Sequence, residues 1–222
     1  MKVTTDACLF GAWVAKELAD KSNAIQNCLD IGTGSGLLSL MIAQKNSLVI
    51  DAIEIDEAAA QQASENAKAS KWNDRIRIAQ EDVLQWEPKT KYNWIVSNPP
   101  FYENQLRSGT KKKDVAHHDQ GLTLPSLLSF VKQHLTDDGF FFLLIPAIRL
   151  DETNALLKRN ELFTGQRILV KQTPKHPPFR VLIKAGIKEN SKIIESIVII
   201  KNEKDEYTPD FVALLRDYYL YL

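Results

Sequence analysis

Cysteine is almost missing from this chain. Two residues, Cys8 and Cys28, stand among 222, and neither has the spacing of a disulfide framework or a zinc site. That excludes a disulfide-stapled secreted scaffold and fits a reducing cytoplasm. Long apolar runs are missing too. None reaches the roughly 18 residues that a membrane span needs, and no basic stretch followed by an apolar one opens the chain. Glycine and proline, nine of each, are too few for a low-complexity linker, and there are no repeats. Neither sign of charge dominates, with 28 Lys and Arg against 28 Asp and Glu. The four histidines cluster only at His117-His118-Asp119. With no further Cys or His nearby, that group reads as a loop feature, and no metal is expected.

What remains is the profile of an ordinary globular protein, 44% hydrophobic and 25% charged. Its length suits a single domain over 1–222 with one substantial core. The charge is unevenly spread: residues 1–100 carry −3, 101–200 carry +5 and the last 22 carry −2. A modest basic face in the second half can steer a polyanion.

Strand and helix patterns alternate. Asp6 is placed to cap a helix from Ala7 to Leu18, with Leu9, Phe10, Trp13, Val14 and Leu18 at helical spacing. Strands are expected at Cys28–Ile31, Leu48–Ile55, Arg75–Ala79, Tyr92–Val96 and Gly139–Ile145. Helices are expected at Gly36–Gln44, Glu57–Ser70, Leu124–Leu135 and Leu150–Arg159. Three further strands, 163–171, 179–186 and 192–200, are joined by short turns, so part of this end is antiparallel. Pro209 and Asp210 open a last helix to Tyr219. The fold class is therefore α/β: a doubly wound, mostly parallel sheet, Rossmann-like, with antiparallel C-terminal strands. Ligands of such sheets bind at the carboxyl ends of the strands, at the switch point. Asp30, Glu54, Asp82 and Asn98 all fall at that edge.

Gly32-x-Gly34-x-Gly36 follows a strand and opens a helix, which allows close backbone approach to a ligand. The dinucleotide fingerprint has its third glycine one residue later. Asp30, just before the turn, is awkward for a phosphate and suits an amino group or a sulfonium. Glu54 ends the second strand and can accept from both hydroxyls of a ribose. Ile55 would wall an adenine. Asp82 would accept from its amino group, with the Val83 backbone at the ring edge. Together these features are similar to the S-adenosyl-L-methionine site of class I methyltransferases.

An apolar strand then stops at Asn98-Pro99-Pro100-Phe101. The exocyclic nitrogen of adenine is a poor nucleophile, because its lone pair is delocalised into the ring. The Asn98 side-chain oxygen and the Pro99 carbonyl can accept its two hydrogens and free that lone pair as positive charge develops. The prolines remove backbone donors and fix the path. Phe101 can stack on a base taken out of its strand. Pro100 and Tyr102 flank it on the substrate side. Lys111-Lys112-Lys113 and the Lys171, Lys175, His176 and Arg180 group around Pro174 and Pro177-Pro178 are candidate phosphate contacts.

Met1-Lys2-Val3-Thr4-Thr5-Asp6, Asn98-Pro99-Pro100-Phe101-Tyr102, His118-Asp119-Gln120-Gly121-Leu122-Thr123 and Tyr207-Thr208-Pro209-Asp210-Phe211 resemble the bacterial tRNA1(Val) (adenine-37-N6)-methyltransferase family, over nearly the whole chain. The resemblance implies methylation of adenine 37, next to the anticodon of a valine tRNA, by a cytoplasmic, monomeric enzyme. It implies Lys2, Thr5 and Asp6 near the cofactor; Asp30, Gly32, Gly34, Glu54 and Asp82 binding it; and Asn98, Pro99 and Phe101 holding the target base. The chain starts where the family usually carries a short additional N-terminal segment. Two other readings stay open on the residues alone. An Asn-Pro-Pro-aromatic motif serves another RNA base or a protein glutamine amide equally well, and a degenerate site would leave a non-catalytic RNA-binding module.

Overall fold

The computed structural model describes residues 3–19, 26–100, 121–189 and 191–222. Six helices and eight strands follow one another in these segments: α1 (Thr5–Ala19), β1 (Asn27–Ile31), α2 (Leu37–Lys45), β2 (Val49–Glu54), α3 (Glu57–Ala69), β3 (Ile76–Gln80), β4 (Tyr92–Ser97), α4 (Leu124–His134), β5 (Leu135–Pro146), α5 (Leu150–Arg159), β6 (Phe163–Lys171), β7 (Pro178–Gly186), β8 (Ile194–Ile199) and α6 (Pro209–Leu215). The strands form one sheet in the order β3-β2-β1-β4-β5-β7-β6-β8. The first five are mutually parallel. β7 runs antiparallel to both β5 and β6, and β8 returns parallel to β6. The chain reverses its direction of travel across the sheet between β1 and β4, the switch point of a doubly wound fold.

The central strands are apolar on both sides because both faces are covered. In β5, Phe142 and Leu144 face one core with α1, α2 and α6. Phe141, Leu143 and Ile145 face a second core with α4 and α5. Trp13 of α1 meets Phe142 edge-on at 5.4 Å between ring centroids, a favoured aromatic geometry.

Ion pairs at both ends clamp α1 along β7. Arg180 Nε lies 2.7 Å from Asp6 Oδ2, and Lys184 Nζ lies 2.6 Å from Glu17 Oε2. Eleven helical residues span about 16 Å and four strand residues about 13 Å, so the two spacings match. This sets the first turn of α1 at the carboxyl edge of the sheet.

Three local details differ from the sequence reading. Asp6 lies inside the first turn of α1 rather than capping it, because the helix begins at Thr5 and the Asp6 carboxylate is taken by Arg180. β5 begins at Leu135, as polar Thr136-Asp137-Asp138 join the strand through an irregular pairing with β4. The last helix ends at Leu215, and Tyr218 and Tyr219 fold back onto the Leu215 carbonyl. Among the described residues no helix is long and apolar enough to cross a membrane, and no cluster of His, Cys, Asp and Glu has a metal-binding arrangement.

Candidate active site

The switch point brings the two principal motifs together. Ile31 pairs with Ser97 in the β1–β4 ladder and with Ile53 in the β1–β2 ladder. Gly32 therefore lies beside Asn98 on one flank and beside Glu54 on the other. The Ser97 hydroxyl donates to the Ile31 carbonyl at 2.9 Å, adding a cross-link one residue before each motif. Asn98 is half-buried, Pro99 buried and Pro100 exposed.

All three glycines of the turn have positive φ: 70° at Gly32, 59° at Gly34 and 82° at Gly36. That conformation costs an L-residue roughly 1–2 kcal/mol. A Cβ built on Gly32 would meet nothing within 4 Å among the described residues. The turn thus borders open space, as a loop must if a ligand is to lie against its backbone. It is tied down from behind, since Gly32 N and Thr33 N both donate to the Ile53 carbonyl.

Asp30 is fully buried under this turn. Its Oδ2 accepts from the Thr33 hydroxyl at 2.6 Å and the Ser39 hydroxyl at 2.7 Å. Its Oδ1, equally buried, has no hydrogen-bond partner among the described residues. A buried acceptor without a donor is costly, and a cationic amino group would satisfy it. Burial pushes the Asp30 carboxyl above the ordinary carboxylate range. The Thr33 and Ser39 hydroxyls and the Ser39 backbone amide pull it back, and the nearby Glu54 charge adds to the rise.

Glu54, also buried, accepts from Gly34 N at 2.8 Å and from Asp56 N at 3.1 Å, one on each oxygen. Each oxygen keeps a lone pair for a further donor, as two vicinal hydroxyls would require. Next to it Ile55 is 66% exposed, an apolar surface at the same edge. Asp82 stands at the adjoining edge after β3, its carboxylate accepting from Leu84 N at 2.9 Å, while the Val83 side chain is buried. Asp30, Glu54, Ile55, the glycine turn and Asp82 form a continuous rim whose donor and acceptor chemistry fits S-adenosyl-L-methionine: carboxylates for an amino group and a ribose, and apolar surface for a base.

Thr5 and Asp6 lie on the same edge, at the start of α1. Burial raises the Asp6 carboxyl, but hydrogen bonds to Thr4 and Arg180 and the Arg180 charge outweigh it and hold the group below its usual range. Arg180 is thus engaged with Asp6. Lys171 donates to the Pro174 carbonyl at 2.7 Å, and Lys175 makes a 3.5 Å pair with Glu203 on the surface. Lys2, Phe101, Tyr102, Lys111, Lys112, Lys113 and the His117-His118-Asp119 group lie outside the described residues.

Sequence reasoning passed over Thr33, Ser39 and Ser97, which hold the site from behind. A signal existed for one of them. Ser39 interrupts the apolar run Leu37-Leu38-Ser39-Leu40-Met41-Ile42, and a lone hydroxyl in a buried helix calls for a partner.

Comparison with known proteins narrows the chemistry. Residues 12–146 match the family described as methyltransferase small domain. Across the whole chain, 36% of residues are identical to the tRNA1(Val) (adenine(37)-N6)-methyltransferase of Klebsiella pneumoniae, which is covered over 89% of its length. The identity is 34% to the protein of the same name in Parabacteroides distasonis, over 99% of this chain and 91% of that one. Among solved structures, a predicted O-methyltransferase from Agrobacterium tumefaciens superposes with a TM-score of 0.71 at 16% identity, covering 95% of each chain. That likeness speaks for the shared fold.

Proposed function

Because the chain belongs to the methyltransferase small-domain family and, over its full length, to the tRNA1(Val) (adenine(37)-N6)-methyltransferases, we propose that it transfers a methyl group from S-adenosyl-L-methionine to N6 of adenine 37 in tRNA1(Val). One observation carries the reading at the level of chemistry. The Asn98-Pro99-Pro100 segment leaves the sheet directly beside the open glycine turn, fixed there by the Ile31–Ser97 pairing and the Ser97 hydrogen bond.

Asp30 Oδ1 would receive the amino group of the cofactor, Glu54 its ribose hydroxyls, and Ile55 with the Asp82–Val83 corner its adenine. Bound there, the cofactor supplies an electrophilic methyl carbon on a sulfonium. Asn98 and the Pro99 carbonyl accept the two hydrogens of the target amine and draw its lone pair out of conjugation. These acceptors bind best when the nitrogen carries positive charge, so they favour the transition state over the ground state. The two prolines hold the segment in an extended path with no competing N–H. Phe101, next in the chain, is the candidate ring for stacking of the extruded base. No strong base is required, because the methylated cationic nitrogen is acidic enough to release its proton to solvent. On this reading the enzyme acts in the cytoplasm as a monomer on the anticodon arm; Lys2 is a candidate cofactor contact, and Pro100, Tyr102, Lys111, Lys112, Lys113, Lys171 and Lys175 are candidate RNA contacts.

The test is incubation of the protein and S-adenosyl-L-methionine with individual unmodified tRNAs, followed by nucleoside mass spectrometry. N6-methyladenosine at position 37 of tRNA1(Val) is expected. Its absence from every tRNA overturns the reading.

A further inference from the structure

The Tyr207-Thr208-Pro209-Asp210-Phe211 motif has no part in the methyl-transfer chemistry, yet it is built with care. Thr208 caps α6, accepting from Phe211 N at 3.3 Å, and Pro209 takes the first turn. Phe211 is fully buried and anchors the helix. Tyr207 stacks on Phe211, with centroids 4.9 Å apart and planes 17° apart, and stays 38% exposed. A tight turn brings it back against Lys201 in an antiparallel bridge, and Lys201 N is itself fixed to the Gln172 carbonyl at 3.0 Å. The product of this bracing is one wall of a cleft of about 300 Å³, the lower end of the range for ligand sites. Tyr207, Lys201 and Gln172 meet Phe179, Arg180 and Asp6 across it.

The lining has an unusual repetition. Arg180 lies over the Phe179 ring at 5.5 Å, and Lys201 lies over the Tyr207 ring at 5.5 Å. Two cation–aromatic pairs therefore line one space, and each cation has one carboxylate partner, Asp6 for Arg180 and Asp205 for Lys201. Arg180 spends Nε on Asp6 and Nη1 on the Phe179 carbonyl, which leaves guanidinium donors unassigned out of its five. Among the described residues Lys201 pairs with Asp205, whose side chain is 82% exposed, an interaction of little strength that a better anion displaces. Because Pro146 of β5 pairs with Arg180, and β5 is the neighbour of β4, the cleft opens on the same sheet edge as Asn98.

Resting on the reading above, we propose that this cleft takes a second nucleotide of the substrate RNA, next to the extruded base: its phosphodiester between Arg180 and Lys201, its base against Tyr207 and Phe179. Aromatic rings and a guanidinium plane are the surfaces on which single-stranded bases stack. A base pulled from an RNA loop leaves its neighbour unstacked as well, and this site recovers that lost stacking. Specificity for a loop over a duplex follows, since a paired base cannot enter.

The test uses Lys201→Gln, Tyr207→Leu and Tyr207→Phe in the full-length protein, with the isolated anticodon stem-loop of tRNA1(Val) as ligand. Tyr207→Leu should weaken RNA binding about tenfold, as loss of one stacked base does, and Tyr207→Phe should retain it. Lys201→Gln should lower the slope of log K against log salt by about 0.7, one phosphate on a single strand. S-adenosyl-L-methionine affinity should not move in any of them. Photocross-linking of the wild-type protein to RNA carrying 4-thiouridine beside the target adenine should label the Phe179 or Tyr207 peptide, a readout that needs no variant to fold. Unchanged RNA affinity in Tyr207→Leu, a loss confined to Lys201→Gln, or cross-links wholly elsewhere overturns the proposal. Wild-type protein that binds the stem-loop through these residues but leaves it unmethylated overturns the assigned reaction and keeps the cleft.

Discussion

Replacing Ser39 by alanine tests the most consequential piece of hidden architecture, the pair of hydroxyls beneath the glycine turn. Ser39 is fully buried, and its Oγ lies 2.7 Å from Asp30 Oδ2. Hydrogen bonds to a charged group contribute about 1.5–3 kcal/mol. Alanine is the better helix former by about 0.5 kcal/mol, so the net destabilisation while Asp30 is ionised is about 1–2.5 kcal/mol. In a protein of this size that corresponds to a fall in Tm of about 2–10 °C. The pH dependence carries the argument further. Asp30 already titrates above its ordinary range because it is buried, and losing a donor raises it again. The cost is therefore complete above the variant's folded pKa. It shrinks as pH falls through that value and then through the wild-type one, toward the smaller worth of a neutral hydrogen bond, about 0.5–1.5 kcal/mol before the helix gain. Thermal unfolding followed by circular dichroism across a pH series reads both quantities. Combining Ser39→Ala with Asp30→Asn should remove the pH dependence of the difference, since the two residues share one interaction. A loss below about 0.5 kcal/mol while Asp30 is ionised, or a loss equal at every pH, refutes the reasoning.

Other outcomes follow from the same rim. Asn98→Ala should lower kcat on tRNA1(Val) by about 100- to 1000-fold, by analogy with a lost preorganised partner of transition-state charge; a fall under tenfold, measured with saturating RNA, would remove Asn98 from the chemistry. Gly32→Ala meets no protein atom, so its stability cost should stay near the 1–2 kcal/mol of a left-handed residue, while titration calorimetry should show S-adenosyl-L-methionine binding weakened about tenfold, or 1.4 kcal/mol, by a methyl group in the ligand's place. The same calorimetry on wild-type protein should show affinity rising with pH as Asp30 ionises, because an ammonium group pairs only with the ionised form; Asp30→Asn should abolish that rise, and an unaltered profile would detach Asp30 from the cofactor.

Much of the sheet was legible because its strands carry their own punctuation. The run from Gly139 to Ile145 reads as a strand buried on two sides, and it is one. Asn98-Pro99-Pro100 ends β4 where the prolines say it must. What escaped reading depends on partners far along the chain. Asp6 looks like a helix cap from its neighbours, but Arg180, 174 positions away, takes its carboxylate. Thr136-Asp137-Asp138 carry no apolar pattern to mark a strand, yet β5 runs through them as an irregular stretch between two anchored pairs, Leu135 with Tyr92 and Phe140 with Trp94. The Gly32 and Asn98 motifs were each visible, while their adjacency required knowing that β1 pairs with β4. Thr33 and Ser39 were invisible as site residues, because a hydroxyl beneath a ligand loop has no sequence mark of its own beyond a polar letter in an apolar helix.

The Ser97 hydroxyl, closing onto the Ile31 carbonyl, has a consequence for how such an enzyme tolerates change. Donor loop and acceptor loop spring from neighbouring strand tips riveted at one level, so their spacing is inherited from the rise of the ladder and is indifferent to the length of either loop. Evolution can lengthen, shorten or rewrite the segments that greet different nucleic acids without re-aiming the transfer. A slip of a single residue between the two strands, in contrast, would displace one loop by a full step and turn that strand's side chains to the opposite cores, so aim and packing would fail together.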